Sequence, residues 1–145
     1  MPELFAYHPP YARWAHVLLR VFAGAIIAQH GAQKILGVLG GMGAPGATAP
    51  FLHQFWFAGM IELVGGALIM VGLFTRLAGF IMSGELAVAY FTVHAPRGFW
   101  PIENKGELAV TLCFVFLYFA ATGAGAISLD YLLARRPKPV MSGAA

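Results

Sequence analysis

The chain has 145 residues, of which 59% are hydrophobic and 10% are charged, with a formal net charge of +3. A soluble domain carries roughly 25% charged residues, so this chain has too few to cover a surface in contact with water. The composition excludes an ordinary soluble domain, gives no support for nucleic-acid binding, and predicts one membrane-embedded domain over residues 1–145.

Four apolar segments follow one another, each close to the roughly 20 residues that a helix needs to cross a membrane. They cover about residues 12–37, 55–74, 76–94 and 104–122, and a short basic tail over residues 131–145 comes last. Strict apolar–polar alternation is absent, which favours helices over a barrel. Because only a short turn joins the second and third segments, these must be antiparallel neighbours. The predicted fold is an all-α integral membrane bundle of four antiparallel helices in contact with the lipid bilayer.

Basic residues are unevenly distributed between the two ends of this bundle. An even number of spans puts both termini on one side. The basic residues of that side are Arg13, Arg76, Arg135, Arg136 and Lys138. The other side holds Arg97 and Lys105, with Lys34 near the membrane edge. The positive-inside rule therefore predicts that both termini lie in the cytoplasm.

Polar and ionisable side chains occur within the predicted spans, although each charge costs at least about 2.5 kcal/mol near the centre of an isolated helix. They are Arg20, Gln29, His30, Gln33, Lys34, Glu62, Glu85, His94, Glu103 and Glu107. Such groups usually face the interior of a bundle and pair with one another. The sequence therefore predicts one polar pocket that opens towards the outer face, with cations of the first span opposite carboxylates of the other three.

Helical spacing places several of these residues on shared faces. His30 and Lys34 lie four residues apart, so they share a face. Gly59 and Gly66 lie on the face of Glu62, and such small residues allow a neighbouring helix to approach closely.

The third span contains a carboxylate, Glu85, and ends at a histidine, His94; in a regular α-helix the two side chains would lie on different faces. His94 follows Glu85 by nine residues, about half a turn around an α-helix. The two side chains share a face only if the helix unwinds before Pro96.

Structural alternatives stay open for these residues. Glu62 and Glu85 also suit purely structural ion pairs, and Lys34 is long enough to reach the headgroups. His30 also suits a neutral, hydrogen-bonded histidine, and His94 a loop residue.

Several motifs, in their order around the four spans, resemble those of the DoxX family. They are Gln29–Lys34, Glu62–Gly66, Gly72–Arg76 and Thr122–Asp130. The resemblance covers about residues 12–131, with Ala124 in place of the usual proline of the last motif. It implies a four-helix bundle in the inner membrane of a bacterium. It also implies an association with membrane oxidoreductase complexes, because the family takes its name from a subunit of a thiosulfate:quinone oxidoreductase.

Two functions remain open at this point, and the first is a quinone-linked redox subunit. In this hypothesis the catalytic residues are Glu62, Glu85 and His30, and the ligand-binding residues are Gln33, Lys34, His94 and Glu107. Arg20 and Arg76 have structural roles. The chain has no nicotinamide or flavin motif, so a soluble redox partner is expected to supply the electrons.

The second function is non-enzymatic: a membrane anchor, an assembly factor, or a pathway for protons or small solutes. The small-residue faces also fit a homo-oligomer. A metal site on His30, Glu62, Glu85 and His94 ranks lower, because the Glu-x-x-His pairs of di-iron bundles are absent. No residue is therefore assigned as a metal ligand, and the metal site stays a third, weaker alternative.

Overall fold

The structure, a computed structural model, describes residues 10–135, so Arg136, Lys138 and most of the predicted tail lie outside the described residues. The helices are α1 (Pro10–Leu36), α2 (Gln54–Val71), α3 (Thr75–Ala89), α4 (Pro101–Asn104), α5 (Glu107–Thr122) and α6 (Leu129–Ala134). A π-helical turn, Tyr90–His94, and a 3-10 turn, Ala95–Arg97, continue α3. Residues 10–135 contain no strand, and the all-helical prediction is confirmed for this part of the chain.

Within residues 10–135, three helical stretches are long and apolar enough to cross a membrane: Tyr11–Leu36, Gln54–Val71 and Thr75–Arg97. The fourth apolar helix, α5, has 16 residues. Its length of about 24 Å is less than the hydrocarbon thickness of about 30 Å. It begins at Glu107 rather than at residue 104 because Lys105 adopts a left-handed conformation (φ 60°) that ends α4.

Glycines bring the backbones of α1 and α2 into contact. A Cβ atom added to Gly24 would lie 2.7 Å from the carbonyl oxygen of Gly66, and one added to Gly66 would lie 2.7 Å from that of Gly24. A Cβ atom added to Gly31 would lie 2.7 Å from the carbonyl oxygen of Gly59. Since residue 24 pairs with 66 and residue 31 with 59, α1 and α2 run antiparallel. The predicted close approach at Gly59 and Gly66 is confirmed.

Replacing Gly31 with valine is expected to destabilise the folded chain by about 1–3 kcal/mol, because the new side chain would overlap the backbone of α2. A Cβ at this position would meet the backbone of Leu63 and Gly59. Thermal unfolding in detergent measures the effect, and Gly84→Ala is the matched control because a Cβ at Gly84 meets nothing within 4 Å. Equal melting temperatures for the two variants would contradict the close packing.

The α3–α5 pair also packs tightly, and the apolar core lies in one half of the bundle. Ser83 Oγ of α3 is 3.5 Å from Cys113 Sγ of α5. The fully buried apolar side chains are Ile69, Met82, Phe116 and Phe119. They lie towards the end of the bundle that carries the start of α1 and the turn between α2 and α3, which we call the terminal end. The opposite end, with the connections 37–53 and 95–106, is the loop end.

Polar side chains hold the segment after α5 against the terminal end. Arg20, which is only 3% exposed, donates from Nη1 to Ala124 O (2.5 Å) and from Nη2 to Ile127 O (2.7 Å). Arg76 Nη1 donates to Ala121 O at 2.5 Å. Arg20 thus binds backbone carbonyls rather than a carboxylate, because the segment after α5 turns back over the start of α1.

Asp130 is a structural residue that the sequence reasoning did not single out. Its Oδ1 accepts from Phe74 N (2.7 Å) and its Oδ2 from Thr75 N (3.0 Å). It therefore supplies the acceptors that the first N–H groups of α3 lack within the helix. The only sequence signal was its place at the end of the Thr122–Asp130 motif.

At the loop end, Asn104 organises the connection between α3 and α5. Its side chain is buried; Nδ2 donates to Gly98 O (2.6 Å) and Oδ1 accepts from Gly106 N (2.8 Å). Tyr90 donates its hydroxyl hydrogen to Phe99 O. These bonds tie the connection to the end of α3.

Candidate functional site

A cavity of about 860 Å³ lies where α1, α2, α3 and α5 meet. Its volume is within the range of about 300–1,000 Å³ that is typical of ligand pockets. Apolar side chains form most of its walls. Four of them, Phe57, Phe80, Val88 and Leu108, are also exposed on the lateral surface of the bundle. The cavity therefore reaches the surface that lipid chains would cover.

The polar centre of the cavity is an ion pair between the first and second spans. Lys34 Nζ lies 2.6 Å from both carboxylate oxygens of Glu62. The Glu62 side chain is 4% exposed and that of Lys34 is 21% exposed. Antiparallel packing across Gly59 brings the last turns of α1 beside the first turns of α2, which explains why these two residues meet.

Glu85 of α3 also lines this cavity. Its Oε2 atom is buried and makes no hydrogen bond within the part of the chain that the structure describes. A buried polar atom without a partner typically costs about 1–3 kcal/mol. Because Glu85 lines the cavity, a ligand bound there would lie close to this carboxyl group.

The π turn places His94 on the wall of the cavity. Ala95 N donates to Tyr90 O, five residues back, so each residue of this turn rotates by only about 80° instead of about 100°. This underwinding brings His94 to within roughly a quarter turn of the face of Glu85. The helix thus unwinds before Pro96, and His94 reaches the cavity wall although it stays about a quarter turn from the face of Glu85.

The remaining predicted residues divide between the cavity and other places. His30 lines the cavity beside Lys34. Gln33 does not line it, because it lies one residue around α1 and donates instead to Leu39 O (3.3 Å). Glu107 also lies outside it, as the exposed first residue of α5. The structure brings together His30, Lys34, Glu62, Glu85 and His94.

Sequence reasoning missed Thr92 and did not assign Gly84 to the pocket, although both line the cavity. Gly84, Val88 and Thr92 follow one another at intervals of four residues beside Glu85, and this spacing was the available signal. Within residues 10–135, no group of three or more His, Cys, Asp or Glu side chains is arranged to hold a metal ion.

Comparison with known proteins identifies the family. A family model described as DoxX matches residues 15–95, which is more than half of the chain. No solved structure matches.

Curated relatives cover most of the chain. The chain is 43% identical over 137 residues to an uncharacterized protein of Haemophilus influenzae, covering 90% of this chain and 96% of that protein. It is 31% identical to the Bacillus subtilis protein named "Putative oxidoreductase CatD", covering 79% of this chain and 83% of that one. It is 28% identical to "Uncharacterized membrane protein Rv3486" of Mycobacterium tuberculosis, covering 83% of this chain and 82% of that one. The chain therefore belongs to the DoxX family of membrane proteins.

Proposed function

We propose that this chain is a quinone-linked membrane subunit of an oxidoreductase system, and that the cavity binds the quinone. The observation that carries the proposal is an apolar cavity of about 860 Å³ lined by Glu85, whose buried Oε2 has no hydrogen-bond partner within the described residues. A quinone combines a small polar head group with an apolar tail, and this cavity offers both environments.

The residues around the cavity fit such a ligand. The Lys34–Glu62 pair and His30 provide hydrogen-bonding groups on the α1–α2 side, and Glu85 and His94 provide them on the α3 side. The exposed lining residues Phe57 and Val88 leave a lateral opening through which a tail would extend into the bilayer. In this proposal His30, Glu62 and Glu85 hold and exchange protons with the head group, and Lys34 and His94 orient it.

The same proposal includes four crossings in antiparallel order, with both termini on the cytoplasmic side of a bacterial inner membrane. Arg13 and Arg76 lie at the terminal end, whereas Arg97 and Lys105 belong to the loop end. The short turn between α2 and α3 and the contacts of Arg76 with the end of α5 support this order. The shorter α5 would cross with the help of local thinning of the bilayer.

A soluble partner supplies the electrons in this proposal. Its support is the Bacillus subtilis relative, which is named a putative oxidoreductase. The non-enzymatic alternative of a proton or solute pathway has less support, because Ile69, Met82 and Phe116 fill the half of the bundle beyond the cavity.

The proposal is tested by titrating the purified full-length chain with a benzoquinone that carries a ten-carbon tail, using calorimetry in lipid nanodiscs. Saturable binding is expected. Gly84→Leu should weaken quinone binding at least about tenfold, because the leucine side chain would enter the cavity, where a Cβ has free space. Leu77→Phe changes a residue outside the cavity and should bind the quinone as the unmodified chain does. Well-folded protein that binds no quinone would refute the proposal, as would equal binding by Gly84→Leu.

A further inference from the structure

Three polar side chains on the α3 side of the cavity, Glu85, Thr92 and His94, offer hydrogen-bond acceptors; we call them the acceptor wall. Thr92 donates its only hydroxyl hydrogen to Val88 O (2.8 Å), so its remaining capacity is to accept. His94 Nδ1 lies 3.2 Å from Asn104 O. Because a carbonyl only accepts, the ring hydrogen lies on Nδ1, and Nε2 of the neutral ring keeps its lone pair.

Glu85 completes the acceptor wall, because it lines the cavity and, as a carboxylate, only accepts hydrogen bonds. Its Oε2 has no hydrogen-bond partner within residues 10–135. On the opposite side, the ammonium of Lys34 uses two of its three hydrogens on Glu62, which leaves one to donate. The cavity thus presents acceptors on one side and a donor on the other. A ligand head group that both donates and accepts would satisfy both sides.

We infer that the cavity binds the hydroquinone form of its quinone in preference to the oxidised form; this inference rests on the proposed function. The two carbonyl groups of a quinone only accept, so they leave the acceptor wall without hydrogens. Each hydroxyl of a hydroquinone can donate to the wall, and one of them can also accept the remaining hydrogen of Lys34. Because an unpaired buried acceptor typically costs about as much as a tenfold change in affinity, the hydroquinone should bind at least about tenfold more tightly.

The test measures two dissociation constants under anaerobic conditions, with the full-length chain in lipid nanodiscs. The probes are a benzoquinone with a ten-carbon tail and its hydroquinone. In Glu85→Gln the side-chain NH2 group can donate to a quinone carbonyl, so the ratio of the two constants should fall to about one. Glu107→Gln, an exposed carboxyl outside the cavity, is the matched control and should keep the ratio of the unmodified chain.

Thr92→Val is a second variant, and because Thr92 is exposed, the substitution should not impair folding. It removes one acceptor, so the ratio of the two dissociation constants should move partway towards one. The inference would be overturned if the unmodified chain bound both forms with equal affinity or bound the quinone more tightly. Either result would leave the proposed quinone site intact. A ratio that Glu85→Gln and Thr92→Val leave unchanged would also overturn it. Failure of both probes to bind folded protein would overturn the proposed function as well.

Discussion

Replacing Lys34 with methionine should lower the free energy of unfolding by about 3 kcal/mol, because it leaves the Glu62 carboxylate buried without its cation. Glu62 has both oxygens at 2.6 Å from Lys34 Nζ, and its side chain is 4% exposed. The structure describes no second cation in hydrogen-bonding contact with this carboxylate within residues 10–135. Unfolding of the purified chain in mixed detergent micelles measures the change.

The converse variant should be less damaging. Glu62→Leu leaves the ammonium of Lys34 unpaired, but Lys34 is 21% exposed and its long side chain can extend towards the loop end. We therefore expect a smaller loss of stability than for Lys34→Met.

The double variant, Lys34→Met with Glu62→Leu, is the control that separates an unpaired charge from lost packing. It should recover much of the stability that Lys34→Met loses, because no uncompensated charge remains. A double variant as unstable as Lys34→Met would show that the ion pair is not the cause.

Replacing Arg20 with methionine should destabilise the terminal end by about 3 kcal/mol or more, because two charge-assisted hydrogen bonds are lost. Arg20 donates to Ala124 O and Ile127 O, and without it both carbonyls lose this partner. The segment 123–128 should then detach from α1 before the rest of the bundle unfolds. Limited proteolysis with elastase, which cleaves after small residues, would detect this as faster cutting within that segment.

Two controls accompany the arginine variant. Arg20→Lys can keep at most part of the interaction, since a single ammonium cannot reproduce the planar fork of the guanidinium. Arg13→Met removes an exposed arginine from the same helix and should change neither stability nor cleavage. Unchanged cleavage in Arg20→Met would contradict the role given to the two hydrogen bonds.

The helices themselves were largely predictable, because they depend on local properties of the chain. Runs of apolar residues and the flanking glycines and prolines located α1, α2 and α3 to within a few residues. The start of α5 was less predictable, since the interruption at Lys105 arises from hydrogen bonds of the Asn104 side chain to Gly98 and Gly106.

The candidate site was only partly predictable, because residue type indicates that a buried group needs a partner but does not identify it. Helical spacing placed His30 beside Lys34, but Gln33 and Glu107, which were also predicted to bind the ligand, lie outside the cavity. Arg20 was predicted to have a structural role, but its partners are backbone carbonyls more than 100 positions away. No local pattern encodes such a contact.

By itself the sequence determined that this is a membrane protein, that its spans are helical, and that ionisable groups lie within them. These conclusions follow from composition and periodicity, which act over a few turns of helix. The tertiary structure alone decided that Lys34 pairs with Glu62 and that a π turn brings His94 to the same cavity. It also decided that Glu85 Oε2 has no hydrogen-bond partner among the residues that the structure describes. The physical reason is that these contacts depend on how closely the helices approach at their glycines and on one local change in helical twist.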